Sequence, residues 1–155
     1  MPLRFNHMEL TLAPGSLDEG GDREAIKAFY QEIFGFRAMD VFIVKQNALL
    51  LGTDDETSQF ILLTQMEKHM DSPGYDHLGF LVDRFEQVDE LRAKCEKWKE
   101  KDDRVQLKYY DDIEAGPNAS VRAFYVKYIL PIYFDVQAMQ YKDESAKPAL
   151  QWIYA

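Results

Sequence analysis

Cysteine is almost absent: Cys95 stands alone, so no internal disulfide can form. Long apolar runs are missing too. No stretch approaches the about eighteen apolar residues of a membrane span, and the opening MPLRFNHMEL lacks the apolar segment of a secretory signal. These shortages predict a reducing, cytoplasmic setting and no membrane partner. Positive charge is scarce as well, with 18 Lys and Arg against 27 Asp and Glu for a net charge of −9. That sign opposes binding to phosphate backbones and anionic lipids, so nucleic acid is not an expected partner. Histidine occurs only three times, as His7, His69 and His77, which makes the position of each informative.

What remains is ordinary globular material. At 155 residues the chain fits one domain, with 46% hydrophobic and 29% charged residues to supply a core and a solvated surface. The 14% aromatic content suits a strand-rich fold.

An internal repeat organises the sequence. Phe5-Asn6-His7-Met8-Glu9-Leu10 and Tyr75-Asp76-His77-Leu78-Gly79-Phe80 share an aromatic, polar, His, apolar, variable, apolar order. Alternation through Leu12 and Val82 reads as a strand in each copy. A helix follows each strand. Asp22 is placed to cap a segment with Ile26, Phe29, Tyr30, Ile33 and Phe34 on one face, closed by Gly35. In the second copy Asp83-Arg84-Phe85-Glu86 offers a capping box before Val88, Leu91 or Arg92, Cys95 and Trp98. Cys95 thus reads as helix-face packing.

Three strand-like runs follow each helix: 36–46, 48–52 and 59–65, then 105–111, 121–128 and 132–139. The chain therefore reads βαβββ twice, an α+β fold of two modules, 4–65 and 75–139, whose mixed sheets curve around a cavity. Met66 to Gly74 links the modules, and Gly116-Pro117-Asn118 breaks the second. The tail 140–155, ending near Trp152 and Tyr154, is expected to dock on the body or on a second copy.

Parity selects the cavity face. With Met8, Leu10 and Leu12 toward the helix, His7, Glu9 and Thr11 face the cavity, and His77 joins them from the second copy. In the last strand Ile132, Phe134 and Val136 form the apolar set, which turns Tyr133, Asp135 and Gln137 to the same cavity, so that two imidazoles and one carboxylate are expected to point into one space. Glu9 reads either as a general base or as an acid paired with Arg or Lys across the sheet. Tyr133 reads as a hydrogen-bond donor to substrate or as rim packing. His69 reads as a loop residue, and the acidic runs Asp54-Asp55-Glu56 and Asp111-Asp112-Ile113-Glu114 as solvated loop charge that also suits a cationic ligand.

These residues carry a resemblance that spans nearly the whole chain. Asn6-His7-Met8-Glu9-Leu10, the Phe29-Tyr30-Gln31-Glu32-Ile33-Phe34-Gly35-Phe36 helix ending, Asp76-His77-Leu78-Gly79-Phe80-Leu81-Val82, Ala123-Phe124-Tyr125-Val126 and Tyr133-Phe134-Asp135-Val136 together resemble the vicinal oxygen chelate superfamily. That group includes glyoxalase I, extradiol dioxygenases, fosfomycin resistance enzymes, methylmalonyl-CoA epimerase and bleomycin resistance proteins. Carried over position by position, the resemblance implies metal ligands at His7, His77 and Asp135, with Leu62 at a fourth position that cannot ligate. Two histidines and one carboxylate suit Fe2+ or Mn2+, with Zn2+, Ni2+ and Co2+ as further candidates. Asn118 stands where the dioxygenases carry a catalytic His, and Tyr128-Ile129-Leu130-Pro131 replaces their usual turn before the last ligand, so ring cleavage is demoted. The resemblance thus implies a metal-dependent enzyme acting on vicinal oxygens of a small molecule, as a lyase, isomerase, transferase or dioxygenase. The alternative it implies is a metal-free protein that sequesters a small ligand, as bleomycin resistance proteins do. The aromatic surplus and the apolar tail at Trp152 and Tyr154 predict a homodimer, with the two modules paired within one chain or exchanged between copies.

Overall fold

The computed structural model describes residue 3 and residues 5–147, so the tail at Trp152 and Tyr154, with its expected docking, lies outside the described residues. The elements run β1 (His7–Leu12), α1 (Arg23–Phe34), β2 (Arg37–Ile43), β3 (Gln46–Gly52), β4 (Phe60–Gln65), β5 (His77–Leu81), α2 (Phe85–Lys99), β6 (Gln106–Tyr109), β7 (Ile113–Ala115), β8 (Ala119–Lys127) and β9 (Tyr133–Tyr141). They form two mixed sheets. The first has strand order β1-β4-β3-β2 and the second β5-β9-β8-β6, with β7 paired to β8. In each half the opening strand lies parallel to the closing one, β1 to β4 and β5 to β9, and forms a sheet edge.

Both helices form where the apolar spacing puts them, but their caps differ from expectation. Helix α1 buries Ile26, Phe29, Tyr30 and Ile33 and closes at Gly35, whose φ of 71° lets its N–H reach the Gln31 carbonyl while Phe36 N–H reaches that of Tyr30. The Asp22 carboxylate does not cap it; it accepts from Arg104 at 2.8 Å instead. Ahead of α2, Gln87 Oε1 accepts from the backbone N–H groups of Arg84 and Asp83, so Gln87 rather than Glu86 completes the box.

Two strand boundaries also depart from the sequence reading. The break expected at Asn47 falls at Val44-Lys45, both in left-handed conformation with φ of 51° and 60°. This two-residue turn matches the twist of paired strands and places Val41 opposite Ala48. Arg23 pins the hairpin by donating to the Asn47 and Ala48 carbonyls and to Asp40. In the second half a fourth short strand, β7, folds onto β8 across Gly116-Pro117-Asn118, where Gly116 has a φ of 72°.

The core runs through both halves. Tyr30 and Phe34 from α1 pack on Phe134 of β9, with ring centroids 5.2 and 6.0 Å away, and Phe36 meets Phe80 at 5.6 Å. Phe29 lies 4.4 Å from Tyr128, and the buried Tyr30 hydroxyl donates to the Tyr128 carbonyl at 2.9 Å. The aromatic surplus is thus spent joining one half to the other. The opposite sheet faces carry the two repeat histidines, both of which are exposed.

Candidate functional site

Register confirms the repeat residue by residue. On the first sheet His7 stands opposite Phe60 and Glu9 opposite Leu62; on the second His77 stands opposite Tyr133 and Gly79 opposite Asp135. Leu62 and Asp135 therefore occupy equivalent positions. Each half holds one carboxylate on this rung, but on opposite strands: Glu9 on β1, Asp135 on β9.

His77 and Asp135 come together. Nε2 of His77 lies 3.8 Å from Asp135 Oδ2, while Asp135 Oδ1 is buried with no hydrogen-bond partner. Burial pushes the Asp135 carboxyl above the usual carboxylate range, and His77 only partly offsets this. The imidazole Nδ1 sits 2.7 Å from the Tyr75 carbonyl. A carbonyl only accepts, so in the neutral ring Nδ1 carries the proton and Nε2 turns a lone pair toward Asp135. Two acceptors thus face each other, an arrangement completed by a cation or a proton between them.

His7 is prepared in the same way. Its Nδ1 lies 2.7 Å from Asn6 Oδ1, and Asn6 Nδ2 donates to the Ser58 carbonyl, which fixes the amide so that its oxygen faces the ring. Nε2 is again left as the free lone pair. The ring stacks on Phe60, with centroids 4.8 Å apart and planes 5° from parallel. Fixing the far nitrogen by an outer partner is the usual preparation of a metal-ligating histidine. His7 nevertheless stands apart from the other two: among the described residues no three His, Cys, Asp or Glu side chains gather closely enough to hold a metal ion.

The remaining expected residues sort clearly. Glu9 accepts from the buried Thr64 hydroxyl at 2.6 Å rather than from an Arg or Lys. Tyr133 is buried and its hydroxyl lies 3.1 Å from Gln106 Oε1. His69 is an exposed loop residue, and Cys95 is buried with its thiol pushed up to about 12. The acidic runs are largely tied to their own surroundings, Asp54 to Ser58, Asp112 to Arg122, and Glu114 to Ser120 and Lys142. Residue types alone did not single out Thr64 and Lys108. Asn6, Tyr75 and Tyr125 stand inside the repeat and the fragments that carry the resemblance, Asn6 one residue before His7 and Tyr75 two before His77. Neither of two open clefts, of about 680 and 590 Å³, is lined by His77 or Asp135, although the second includes Phe60 and Gly79.

No family model and no curated protein matches the sequence. Solved structures do match. A fosfomycin resistance protein, FosX, from Listeria monocytogenes superposes with a TM-score of 0.63 at 17% identity, covering 88% of this chain and 91% of that one. The same protein in complex with Mn(II) and sulfate gives 0.61 at 16% identity, covering 95% and 100%. A protein assigned to the glyoxalase family from Bacillus anthracis gives 0.59 at 17% identity, covering 90% and 98%. The chain therefore has the α+β fold of these vicinal oxygen chelate proteins, as its repeat implied.

Proposed function

We propose that the protein is a homodimeric, metal-dependent enzyme acting on vicinal oxygens of a small molecule, with each site built from His77 and Asp135 of one chain and His7 of a second copy. The observation that carries this reading is the pair of lone-pair donors, His77 Nε2 and Asp135, facing one another over a buried carboxylate oxygen that has no partner. Edge position supports the sharing between copies. Both histidines sit on edge strands, β1 and β5, whose free backbone groups suit pairing with another chain. A divalent ion, with Mn(II) and Fe(II) favoured, supplies Lewis-acid polarisation of the substrate oxygens and a template for them.

The chain's own residues supply orientation and proton handling. The Tyr75 carbonyl and Asn6 keep the two imidazoles in the ligating tautomer. Tyr133, beside His77 on the next strand, presents a phenol for a substrate oxygen once Gln106 yields it. Glu9, oriented by Thr64, is the carboxylate free to accept a proton on the His7 face. Catechol cleavage is expected to be slow or absent. Asn118 has no transferable proton, and burial holds the Tyr110 and Tyr125 hydroxyls above the ordinary phenol range, making them poorer acids.

Subunit mixing tests the proposal. His7→Ala and His77→Ala homodimers are each expected to bind no Mn(II), whereas the mixed dimer holds one complete site and regains one ion per two chains. Wild type binding about one ion per chain, in a dimer by sedimentation, completes the expected result. A wild-type protein that binds no divalent ion, or variants that stay empty after verified mixing, would overturn the shared site and favour a metal-free ligand-binding role.

A further inference from the structure

The face that holds His77 and Asp135 also holds a cation with no counter-ion. One rung crosses the second sheet through Gly79, Asp135, Tyr125 and Lys108, so Lys108 shares the face of Asp135 at two strand spacings, about 10 Å between backbones. Its Nζ lies 3.6 Å from the Tyr75 ring centroid and 4.5 Å from that of Tyr133. Lys127 Nζ lies 5.6 Å from the Tyr133 ring centroid as well. Arg23, Lys27, Arg104, Arg122 and Lys142 sit in ion pairs, whereas among the described residues neither Lys108 nor Lys127 does. Among the described residues Lys108 has only rings. A half-desolvated ammonium over aromatic faces, with no carboxylate to neutralise it, keeps its charge for an incoming anion.

Access and polarity agree. Tyr75 and Tyr110 are more than two-fifths exposed, so the rim of the cluster is open, and the Tyr110 ring meets that of Tyr125, on the rung of Lys108, with centroids 5.3 Å apart. A cationic ligand is disfavoured, because Lys108 already covers the ring faces that would stabilise one and would repel it.

We infer that Lys108, with Tyr75 and Tyr110, forms an oxyanion subsite next to the His77 and Asp135 pair, so that the substrate is a short molecule carrying a carboxylate or phosphoryl group. Its link to a reacting end at His77 rests on the proposed function; the subsite itself lies within one chain and needs neither metal nor dimer.

The test uses full-length protein in chelator, with inorganic phosphate, acetate and neutral ethylene glycol as probes, read by NMR of the Lys108 side chain and the Tyr75 ring. Phosphate and acetate are expected to shift both resonances saturably, and glycol to shift neither. Lys108→Met is expected to weaken phosphate binding at least about tenfold and Lys108→Arg to stay within about threefold of wild type. Stronger saturation by phosphate than by acetate assigns a phosphoryl group, and the reverse a carboxylate. The inference is overturned if neither anion moves Lys108, if Lys108→Met binds phosphate as wild type does, or if His77→Ala abolishes binding that Lys108→Met retains. Should Lys108→Met not fold, the wild-type shifts and the arginine variant decide. Because no metal is present, a negative result here leaves the metal site standing, and an empty metal site leaves this subsite standing.

Discussion

Replacing Asp135 with asparagine is expected to stabilise the metal-free protein while removing its metal affinity. The wild-type carboxylate is buried, one oxygen has no partner, and the other faces the Nε2 lone pair of His77. An unsatisfied buried polar group costs about 1–3 kcal/mol. The asparagine amide removes the charge and can donate toward Nε2, so a gain of about 1 kcal/mol at pH 7 is expected, or about 2–4 °C in Tm for a chain of this size. The sign with pH follows from burial. The folded carboxyl is raised above its unfolded value, so ionisation is penalised only in the folded state. That penalty is absent where both states are protonated, below about pH 4, and grows as pH rises through the folded value. The advantage of the variant should therefore be present at pH 7 and fade toward pH 3.5. Urea unfolding in chelator at the two pH values measures it. Adding Mn(II) at about 100 times its Kd should stabilise the wild type by about 2.7 kcal/mol and the variant not at all, reversing their order. A variant less stable than wild type at pH 7 without metal refutes the reasoning, because the carboxylate would then be satisfied in the folded wild type.

Tyr30→Phe removes the buried hydroxyl that joins α1 to the Tyr128 carbonyl and should cost about 1–3 kcal/mol; fluorescence and circular dichroism should still give one coincident urea transition, because the two halves share a core. Val44→Asn with Lys45→Gly supplies residues suited to the left-handed turn and should stabilise by about 1–2 kcal/mol in thermal unfolding. Arg104 holds Asp102 well below the usual carboxylate range, and Tyr128 donates to it at 2.7 Å. A depressed folded value contributes stability above the unfolded pKa that is lost as pH falls through the folded one, so Asp102→Asn should reduce stability at pH 7 and flatten the acid limb of a pH-stability curve.

The repeat was legible because its signal is local and periodic. Leu10 and Leu12 are buried while His7 and Glu9 face outward, as alternation requires, and the five apolar positions of α1 put four residues into the core. The turn at Val44-Lys45 was not legible, because neither residue favours a positive φ and the conformation is held by tertiary contacts, Arg23 onto the Asn47 and Ala48 carbonyls. Strand β7 is only three residues long and borrows its pairing from β8, which leaves little periodicity to read. Asp22 illustrates a different loss: its cap chemistry was visible, but Arg104 lies 82 residues away in sequence and takes the carboxylate.

Parity identifies which face a side chain takes, but not which two faces share a cavity. His7, His77 and Asp135 each occupy the expected face, yet only the last two meet, because the partner of a sheet face is chosen by the packing of the opposite face. Here Tyr30 and Phe34 of α1 pack on Phe134 of β9 and join the halves within the chain. In the proposed site the third ligand, His7, comes from a second copy. Part of the aromatic surplus, read from composition as strand material, supplies this joint between the halves. A core variant that loosens this contact, such as Phe134→Ala, removes packing worth about 3–5 kcal/mol and should weaken Mn(II) binding along with stability, although Phe134 lies on the core face. Metal affinity unchanged in folded Phe134→Ala dimers would show that the two faces are held by the intersubunit edges alone.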